Sequence, residues 1–373
     1  MKQQTGLAAV YVGANRKLAI RQYPVTAPQG KDVLLKLLRS GLCGAAIHIL
    51  EGRTAIPPSF IPGHEFIGQV VGLGRRARRD GLGHRLTPGD TAIACVANPC
   101  GKCFTCRQGE TASCLSFGMT NIRDPEERPH FFGGFADYLC QPAHTVVRVP
   151  RGLNLDAVAA FPCAGPAAIR AFELAGNLRA KELVVVQGTG PLGLFAIAWA
   201  AKAGCTVVAI GGGANPARMQ LAKELGAKVV MDYRKVDEAR RLGVVQELAR
   251  QLRRGNGADV VFEASGAPSA IPEGLQLVRT LGRYIVPGQC SDNGTVAVAP
   301  QLITFKAIQI VGSGQYKLRD IGTHLKFLGR HRDLQTKFAR CITHRYAVRD
   351  ANAACDNASR GVSIKAVFSE SGM

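Results

Sequence analysis

The sequence predicts an α/β protein in which a doubly wound parallel sheet follows a largely antiparallel β domain that carries a small metal-binding lobe. Three observations lead to this prediction. Short β-like runs separated by Gly and Pro fill residues 1–150, apolar strands alternate with helical segments from about residue 180, and four cysteines crowd into residues 100–114. With 373 residues, 46% of them hydrophobic, the chain is long enough for two buried cores.

The first domain is predicted from apolar runs that are separated by turn residues. These runs are DVLLKLL, FIGQVVGLG, DTAIACV and TVVRVP. Their length and spacing are typical of short antiparallel strands, here in a partly barrel-like arrangement. We place this domain at residues 1–165 and its metal lobe at about 95–118.

The lobe is predicted from Cys100, Cys103, Cys106 and Cys114, which have the spacing C-x2-C-x2-C-x7-C. Thiolates separated by two residues can turn towards one ion, and a fourth thiolate a short loop later completes a tetrahedron. Four sulfur ligands with no open position are characteristic of a structural zinc site. A disulfide pair and an iron–sulfur cluster are the alternatives, and we favour zinc.

The second domain, at residues 166–308, is predicted from strands that alternate with helices. Its apolar runs are ELVVVQ, TVVAI, VVMD, DVVFEA and RYIVP. Continuous apolar strands of this kind indicate βαβ units around a buried parallel sheet. The remaining segment, 309–373, contains QIVG, a helix near Ile321–Leu328 and the run GVSIKAVF. We expect it to return to the first domain.

A glycine-rich turn follows the first strand of this second domain. Gly188, Gly190 and Gly193, with Pro191 and Leu192 between them, form GTGPLG between a strand and a helix. Glycines allow a tight turn and a close approach of the backbone, and the helix N-terminus offers free N–H groups to a pyrophosphate. In this context the motif predicts a dinucleotide-binding, Rossmann-type fold.

The end of the next strand favours NADP over NAD. An acid usually stands there to hold the ribose 2′-hydroxyl. This chain has AIGGGANPAR, with Gly211 and Gly213 in place of an acid and Arg218 shortly afterwards. An arginine suits a 2′-phosphate. The alternative is that Arg218 is an ordinary surface residue and that Asn215 or the backbone holds the ribose of NAD.

Composition limits the partners and the compartment. The net charge of +20 favours anionic small molecules, but the basic run at 75–79 carries no aromatic residue, so we expect a solvated loop and no specific nucleic acid. The N-terminal region has no apolar signal sequence, and the uncharged stretch 183–201 is interrupted by GTGPLG, so we expect no membrane segment. Twelve cysteines without a secretory signal indicate a reducing, cytoplasmic compartment.

The motifs together resemble those of the zinc-containing medium-chain dehydrogenase/reductase family, whose members are alcohol dehydrogenase-like. They are GLCGAAIH at 41–48, PGHEFIGQVVGLG at 62–74, the four-cysteine lobe, FPCAG at 161–165, and GTGPLG. The resemblance covers nearly the whole chain. It implies a GroES-like catalytic domain, a Rossmann domain, and a catalytic zinc held by Cys43, His64 and Cys163.

The resemblance also implies roles for further residues. Three protein ligands leave a fourth zinc position for water or substrate. Glu65 is expected behind the metal, His48 in proton transfer, and Lys365 near the cofactor phosphates. The implied reaction is hydride transfer between NADP(H) or NAD(H) and a small alcohol, aldehyde or ketone. The positive charge is compatible with an anionic substrate, and the family pattern implies a homodimer or homotetramer.

Two positions depart from the family pattern. Ala45 stands where the family has the Ser or Thr that relays a proton, and Ala46 stands where it has an Asp behind the zinc-bound His. The alternatives are therefore a nucleotide-binding descendant with weakened or lost activity and a structural or regulatory role, or buried thiols in place of zinc ligands. The complete set of Cys43, His64 and Cys163 favours an enzyme.

Overall fold

The computed structural model describes residues 4–212, 215–289 and 291–370. The strands are β1 (Thr5–Val10), β2 (Ala19–Pro24), β3 (Asp32–Gly41), β4 (Phe66–Leu73), β5 (Thr91–Ala94), β6 (Ala97–Asn98), β7 (Gly118–Met119), β8 (Tyr138–Pro142), β9 (Val146–Arg148), β10 (Leu183–Gln187), β11 (Thr206–Gly211), β12 (Ala227–Asp232), β13 (Ala258–Glu263), β14 (Val278–Val286), β15 (Gln309–Gly312), β16 (Ile342–Tyr346) and β17 (Lys365–Phe368). The α-helices are α1 (Gly44–Leu50), α2 (Phe104–Arg107), α3 (Leu155–Ala160), α4 (Ala164–Leu174), α5 (Pro191–Lys202), α6 (Ala217–Glu224), α7 (Glu238–Gln251), α8 (Ala270–Leu277), α9 (Pro300–Lys306), α10 (Leu318–Arg330), α11 (Arg332–Ala339) and α12 (Ala351–Ser359).

The chain divides into two compact units. The first contains the residues up to Cys163 and those from Lys317 onward, and the second is Ala164–Tyr316. Residues 309–316 were expected in the returning segment, but they belong to the second unit. Strand β15 pairs in parallel with β14, so this stretch extends the sheet of the second unit.

The first unit is built around one large sheet in the order β16-β17-β3-β4-β5-β9, with β8 also pairing with β3. All pairs are antiparallel except β16–β17, which run parallel. Apolar side chains of β1, β3, β4 and β8 form its core, together with a cluster of aromatic rings near Phe135 and Phe368. The predicted antiparallel, GroES-like domain is confirmed.

The second unit is a parallel sheet in the order β12-β11-β10-β13-β14-β15. Strands β10 and β13 lie at its centre, and every residue of both is buried. This burial explains why the central residues of both strands are apolar without alternation. The strand order reverses between β10 and β13, and such a switch point is where doubly wound sheets bind their ligands. The predicted Rossmann-type fold is confirmed.

None of the helices in the described ranges combines the length and the apolar character needed to cross a membrane.

Candidate functional site

The four lobe cysteines meet although they come from different local structures. Cys100 follows β6, Cys103 caps the N-terminus of α2, Cys106 lies within α2, and Cys114 follows a short 3-10 turn. One sulfur from each residue lies within 4.8 Å of the others. Positive φ angles at Gly101 and Gly109 make the reversals that bring them together.

The spacing of these sulfurs fits one tetrahedral ion. The Sγ atoms of Cys103 and Cys114 are 3.9 Å apart. Zn–S bonds of about 2.3 Å separate the corners of a tetrahedron by about 3.8 Å, whereas a disulfide needs about 2.05 Å. All four thiols are free, and a cluster of several irons would hold its cysteines farther apart. The donor set therefore fits zinc.

Hydrogen bonds favour the thiolate form of Cys100 and Cys103, whereas burial and a hydrogen bond with Cys103 raise the pKa of Cys106 to about 12. The backbone N–H of Cys100 donates to Cys114 Sγ at 3.3 Å, and that of Cys103 donates to Cys100 Sγ at 3.4 Å. The Thr105 hydroxyl and backbone N–H groups lower the pKa of Cys103 to about 5. Thiolates are the form in which cysteines bind metal.

A second cluster joins Cys43, His64 and Cys163, with Glu65 beside them. One donor atom from each of the four lies within 4.8 Å of the others. Cys43 caps the N-terminus of α1, His64 and Glu65 directly precede β4, and Cys163 lies between α3 and α4. The tertiary structure of the first unit therefore brings three separate sequence motifs to one point.

The chemistry of this cluster suits a cation. The pKa of Cys43 lies well below its usual range because the Cys163 thiol donates a hydrogen bond to it and because His64 lies nearby. The pKa of Cys163, the donor in that bond, is raised. A bound cation would allow both sulfurs to be thiolates at once. Two thiolates and one imidazole match a known catalytic zinc set with a fourth position open.

Glu65 forms a buried ion pair with Lys365, and both residues are at most 2% exposed. The Lys365 ammonium also donates to the backbone oxygen of Leu42 at 3.1 Å. Gly41 leaves room for the pair, since a Cβ there would overlap the Glu65 carboxylate. The charge of Lys365 is therefore engaged inside the first unit, and its expected place near the cofactor phosphates stays a prediction.

The helix that follows Cys43 carries the two departures from the family pattern. Ala46 is only 2% exposed and packs into the hydrophobic core. Ala45 is half-buried, and His48 lies one turn farther along α1. The methyl groups of Ala45 and Ala46 offer neither a hydroxyl nor a carboxylate to this site.

The glycine turn of the second unit is formed as predicted between β10 and α5. Gly188 has a φ of +111°, and a Cβ there would lie 2.8 Å from the Ser265 nitrogen. A Cβ on Gly193 would overlap the Gly188 oxygen. The fold itself therefore requires both glycines.

Gly190 is different. It caps the N-terminus of α5 with an ordinary φ of −74°, and a Cβ there would meet nothing within 4 Å. No side chain caps this helix end, and Pro191 and Leu192 form its first two positions. Since nothing in the fold requires this glycine, the open space above the helix N–H groups fits a pyrophosphate.

Only part of the expected site for the adenosine ribose lies within the described residues. Strand β11 ends at Gly211, and Gly213 lies outside the described residues. Arg218 is the second residue of α6, and burial lowers its pKa. Sequence reasoning missed Asp232, because this acid belongs to the next strand in the sheet. A Cβ on Gly212 would lie 3.1 Å from its carboxylate.

Asp232 is already paired with a cation. The Arg234 guanidinium donates to both carboxylate oxygens, at 3.0 and 2.8 Å, and lowers the pKa of Asp232 to about 2. Asp232, which lies near the end of β11, is therefore ionised, and Arg234 offsets part of its charge.

Sequence reasoning also missed Glu263, the last residue of β13, whose side chain is fully buried. Its Oε1 accepts hydrogen bonds from the Ser265 N–H and hydroxyl, both at 2.6 Å, and from the Gly266 N–H at 2.8 Å. Ser265 contacts the glycine turn at Gly188, so Glu263 braces the loop behind the cofactor turn. An acid that directly follows the apolar run VVF at the end of β13 is the signal that could have revealed it.

Comparisons with known proteins agree with this geometry. Residues 29–151 match a family model described as the alcohol dehydrogenase GroES-like domain, and residues 191–330 match one described as zinc-binding dehydrogenase. The chain is 30% identical to 5-exo-hydroxycamphor dehydrogenase of Pseudomonas putida over 368 residues, which covers 98% of this chain and 99% of that one. It is 30% identical to sorbitol dehydrogenase of Halalkalibacterium halodurans, over 94% of this chain and 95% of that one.

Among solved structures, the chain is similar to an alcohol dehydrogenase from Thermotoga maritima. The TM-score is 0.89 and the identity 27%, over 98% of this chain and 99% of that one.

Proposed function

The chain belongs to the zinc-containing medium-chain dehydrogenase/reductase family of alcohol dehydrogenase-like oxidoreductases, and we propose that it transfers a hydride between NADP(H) and a small alcohol, aldehyde or ketone. The observation that carries this proposal is the convergence of Cys43, His64 and Cys163 on one point. Three separate motifs supply a zinc donor set with one position left for a reactant.

The residues of the chain have distinct tasks in this proposal. Cys43, His64 and Cys163 would hold the catalytic zinc, and Gly188, Gly190 and the N-terminus of α5 would hold the cofactor pyrophosphate. When bound, zinc supplies Lewis acidity at the reacting oxygen, and the nicotinamide supplies or accepts the hydride. The Glu65–Lys365 pair fixes the backbone at Leu42, directly before the first ligand.

Proton transfer must follow a path without the usual hydroxyl. His48 is the titratable residue of α1, and it lies about one turn beyond Ala45. We assign it the proton exchange with solvent. General acid–base steps contribute about 10²–10⁴-fold, so this path limits the rate of alcohol oxidation.

The preference for NADP rests on the residues near the end of β11. Gly211 and Gly212 carry no charge, and Arg218 on α6 suits a 2′-phosphate. Asp232 is the residue that would favour NAD, and Arg234 already offsets its charge. The balance of these groups supports NADP.

The names of the relatives bear on the substrate. They act on hydroxycamphor, sorbitol and L-threonine by name, which are a terpenoid, a polyol and an amino acid. All carry a hydroxyl on carbon, but their remaining chemistry differs widely. We therefore propose the reacting group, an alcohol or the corresponding carbonyl, and no single substrate.

The test combines zinc analysis, cofactor titration and a substrate panel on the purified protein. We expect two zinc ions per chain, tighter binding of NADPH than of NADH, and cofactor-dependent turnover of a member of a panel of alcohols, aldehydes and ketones. Cys163→Ser should lose one zinc and most turnover. Cys205→Ser, a partly exposed thiol of the second unit, is the matched control and should retain both.

A different result would support the alternative of a nucleotide-binding descendant. One zinc per chain with intact cofactor binding and no turnover across the panel would contradict the proposed chemistry. This alternative rests on Ala45 and Ala46, which lack the hydroxyl and the carboxylate of the family pattern.

A further inference from the structure

The connection between β4 and β5 forms a cationic cavity in the first unit. Its volume is about 510 Å³, and its lining includes four arginines, Arg75, Arg78, Arg79 and Arg85. We call it the arginine cavity. The dehydrogenase chemistry does not use it, and the zinc donors belong to other segments of the chain.

No carboxylate neutralises these four charges. None of the residues that line the cavity is acidic, and none of the four guanidinium groups forms an ion pair in the part of the chain that the structure describes. The acids of this connection, Asp80 and Asp90, are buried instead. Four exposed guanidinium groups around one concavity therefore create a local field that attracts anions.

The buried acids hold the connection in shape. Asp80 accepts hydrogen bonds from the backbone N–H groups of Leu82, His84 and Arg148 at 2.8–2.9 Å. Asp90 accepts from both the N–H and the hydroxyl of Thr87 at 2.9 Å. The arginines are thus presented by a braced backbone, which lowers the entropy cost of binding a ligand.

Two of the four arginines lie at opposite positions of the connection, and the Arg79 guanidinium donates a hydrogen bond to the Gly83 oxygen at 2.7 Å. Arg79 and Arg85 form an isolated antiparallel β-bridge, so their backbones lie directly opposite each other. Like charges at opposite positions of an antiparallel pair are destabilising. An anion between the two side chains would convert this repulsion into attraction.

We propose that the arginine cavity binds a small polyanion that carries two or more phosphate groups. Guanidinium groups match phosphate oxygens in paired hydrogen bonds, and four of them exceed what one phosphate needs. The volume lies within the range of about 300–1,000 Å³ that is usual for small-molecule pockets. Leu73 and Pro88 supply an apolar wall for the carbon skeleton between the phosphates.

The test is calorimetric titration of the zinc-loaded protein at physiological salt. Fructose 1,6-bisphosphate, fructose 6-phosphate and inorganic phosphate form a series of decreasing charge. Saturating NADPH is present throughout, so that the glycine turn is occupied. We expect the bisphosphate to bind tightest. The double variant Arg75→Gln/Arg78→Gln should weaken its binding by about tenfold or more, because each charge-assisted pair is a strong hydrogen bond.

A charge-matched control separates this site from the general positive charge. Arg330 and Arg332 are exposed residues outside the cavity, and Arg330→Gln/Arg332→Gln should change the affinity less than twofold. Equal losses in both double variants, or no binding of the bisphosphate at 1 mM, would overturn the proposal. A 12-nucleotide single strand that binds more tightly than the bisphosphate through the same arginines would also overturn it, in favour of a nucleic-acid surface.

Discussion

Single residues decide how well this protein can perform the chemistry of its family. The ligands Cys43, His64 and Cys163 are present and converge, yet the two residues that follow Gly44 are alanines. Ala46 is part of the hydrophobic core, so its methyl group has a packing role of its own. Ala45 is half-buried and could accept a larger side chain. Position 45 is therefore where the missing proton path can be tested.

We predict that Ala45→Thr raises the rate of alcohol oxidation by about tenfold or more. The new hydroxyl would lie at the start of α1, between the ligand Cys43 and His48, and general acid–base groups contribute about 10²–10⁴-fold. The cost in helix propensity is below about 0.7 kcal/mol. Turnover numbers with the best alcohol of the panel provide the measurement.

Ala45→Val is the control, because valine has the shape of threonine without its hydroxyl. We expect it to remain at or below the rate of the unaltered protein. If both variants gain equally, or neither gains, proton relay at this position does not limit the reaction.

At the scale of elements, the zinc lobe is a small structure that depends on its ion. It consists of β6, β7, the four-residue helix α2 and connecting turns. Its link to the rest of the first unit includes an ion pair between Glu110 and Lys317 at 2.9 Å. So little regular structure buries little apolar surface, and Phe104 and Leu115 are 68% and 72% exposed. The metal must therefore supply most of the folding energy of the lobe.

We predict that Cys103→Ser removes one zinc per chain and lowers the melting temperature by several degrees. Loss of one thiolate opens a closed four-sulfur site, whose binding energy stabilises the folded lobe. Metal analysis and thermal unfolding provide the two readouts. Affinity for NADPH should change less than about twofold, because the cofactor turn belongs to the second unit.

Cys205→Ser again provides the comparison, with both zinc ions and an unchanged melting temperature expected. A Cys103→Ser protein that lost zinc and kept full stability would show that the lobe folds without its ion.

At the scale of the whole molecule, the two edges of the parallel sheet differ. The β12 edge carries Lys228 and Asp232, and charged residues protect a sheet edge from pairing. The β15 edge reads QIVG, without charge, and its Ile310 is 48% exposed. Nearby Leu281 and Phe305 are 70% and 83% exposed. None of the strands in the described ranges pairs with the outer side of β15.

We propose that a second copy of this chain covers the β15 edge and forms a homodimer. Two identical edge strands can pair antiparallel about a twofold axis, which makes the contact self-complementary. Ile310→Lys should weaken the dimer by at least about tenfold, equivalent to about 1.4 kcal/mol, because a charge then enters an apolar contact. Light scattering over a concentration series measures the dissociation constant.

Val71→Lys is the matched control, since Val71 is 41% exposed on β4 of the first unit, a strand that does not belong to this sheet. It should leave the dimer unchanged. A monomeric unaltered protein, or equal weakening by both variants, would contradict pairing through β15.

Much of the fold could be predicted from local patterns. The buried strands β10 and β13 are recognisable because both of their faces are apolar, and the GTGPLG turn because its glycines are adjacent in sequence. The lobe ligands could be found for the same reason, since fifteen residues contain all four sulfurs. The prediction for residues 309–316 was wrong because the place of QIVG in the sheet depends on its pairing with β14. The apolar run alone does not show which strand it pairs with.

The two-domain architecture, the four-sulfur lobe and the cofactor turn could be predicted from the sequence, because those features depend on neighbouring residues and on periodicity. Which charges meet depends on the tertiary structure. Lys365 and Glu65 are 300 positions apart and share one buried pair. Asp232 reaches the end of β11 from the next strand, and Glu263 braces the loop at Gly188. Electrostatic partners are set by distance in space, and folding brings together residues whose spacing in the chain predicts no contact.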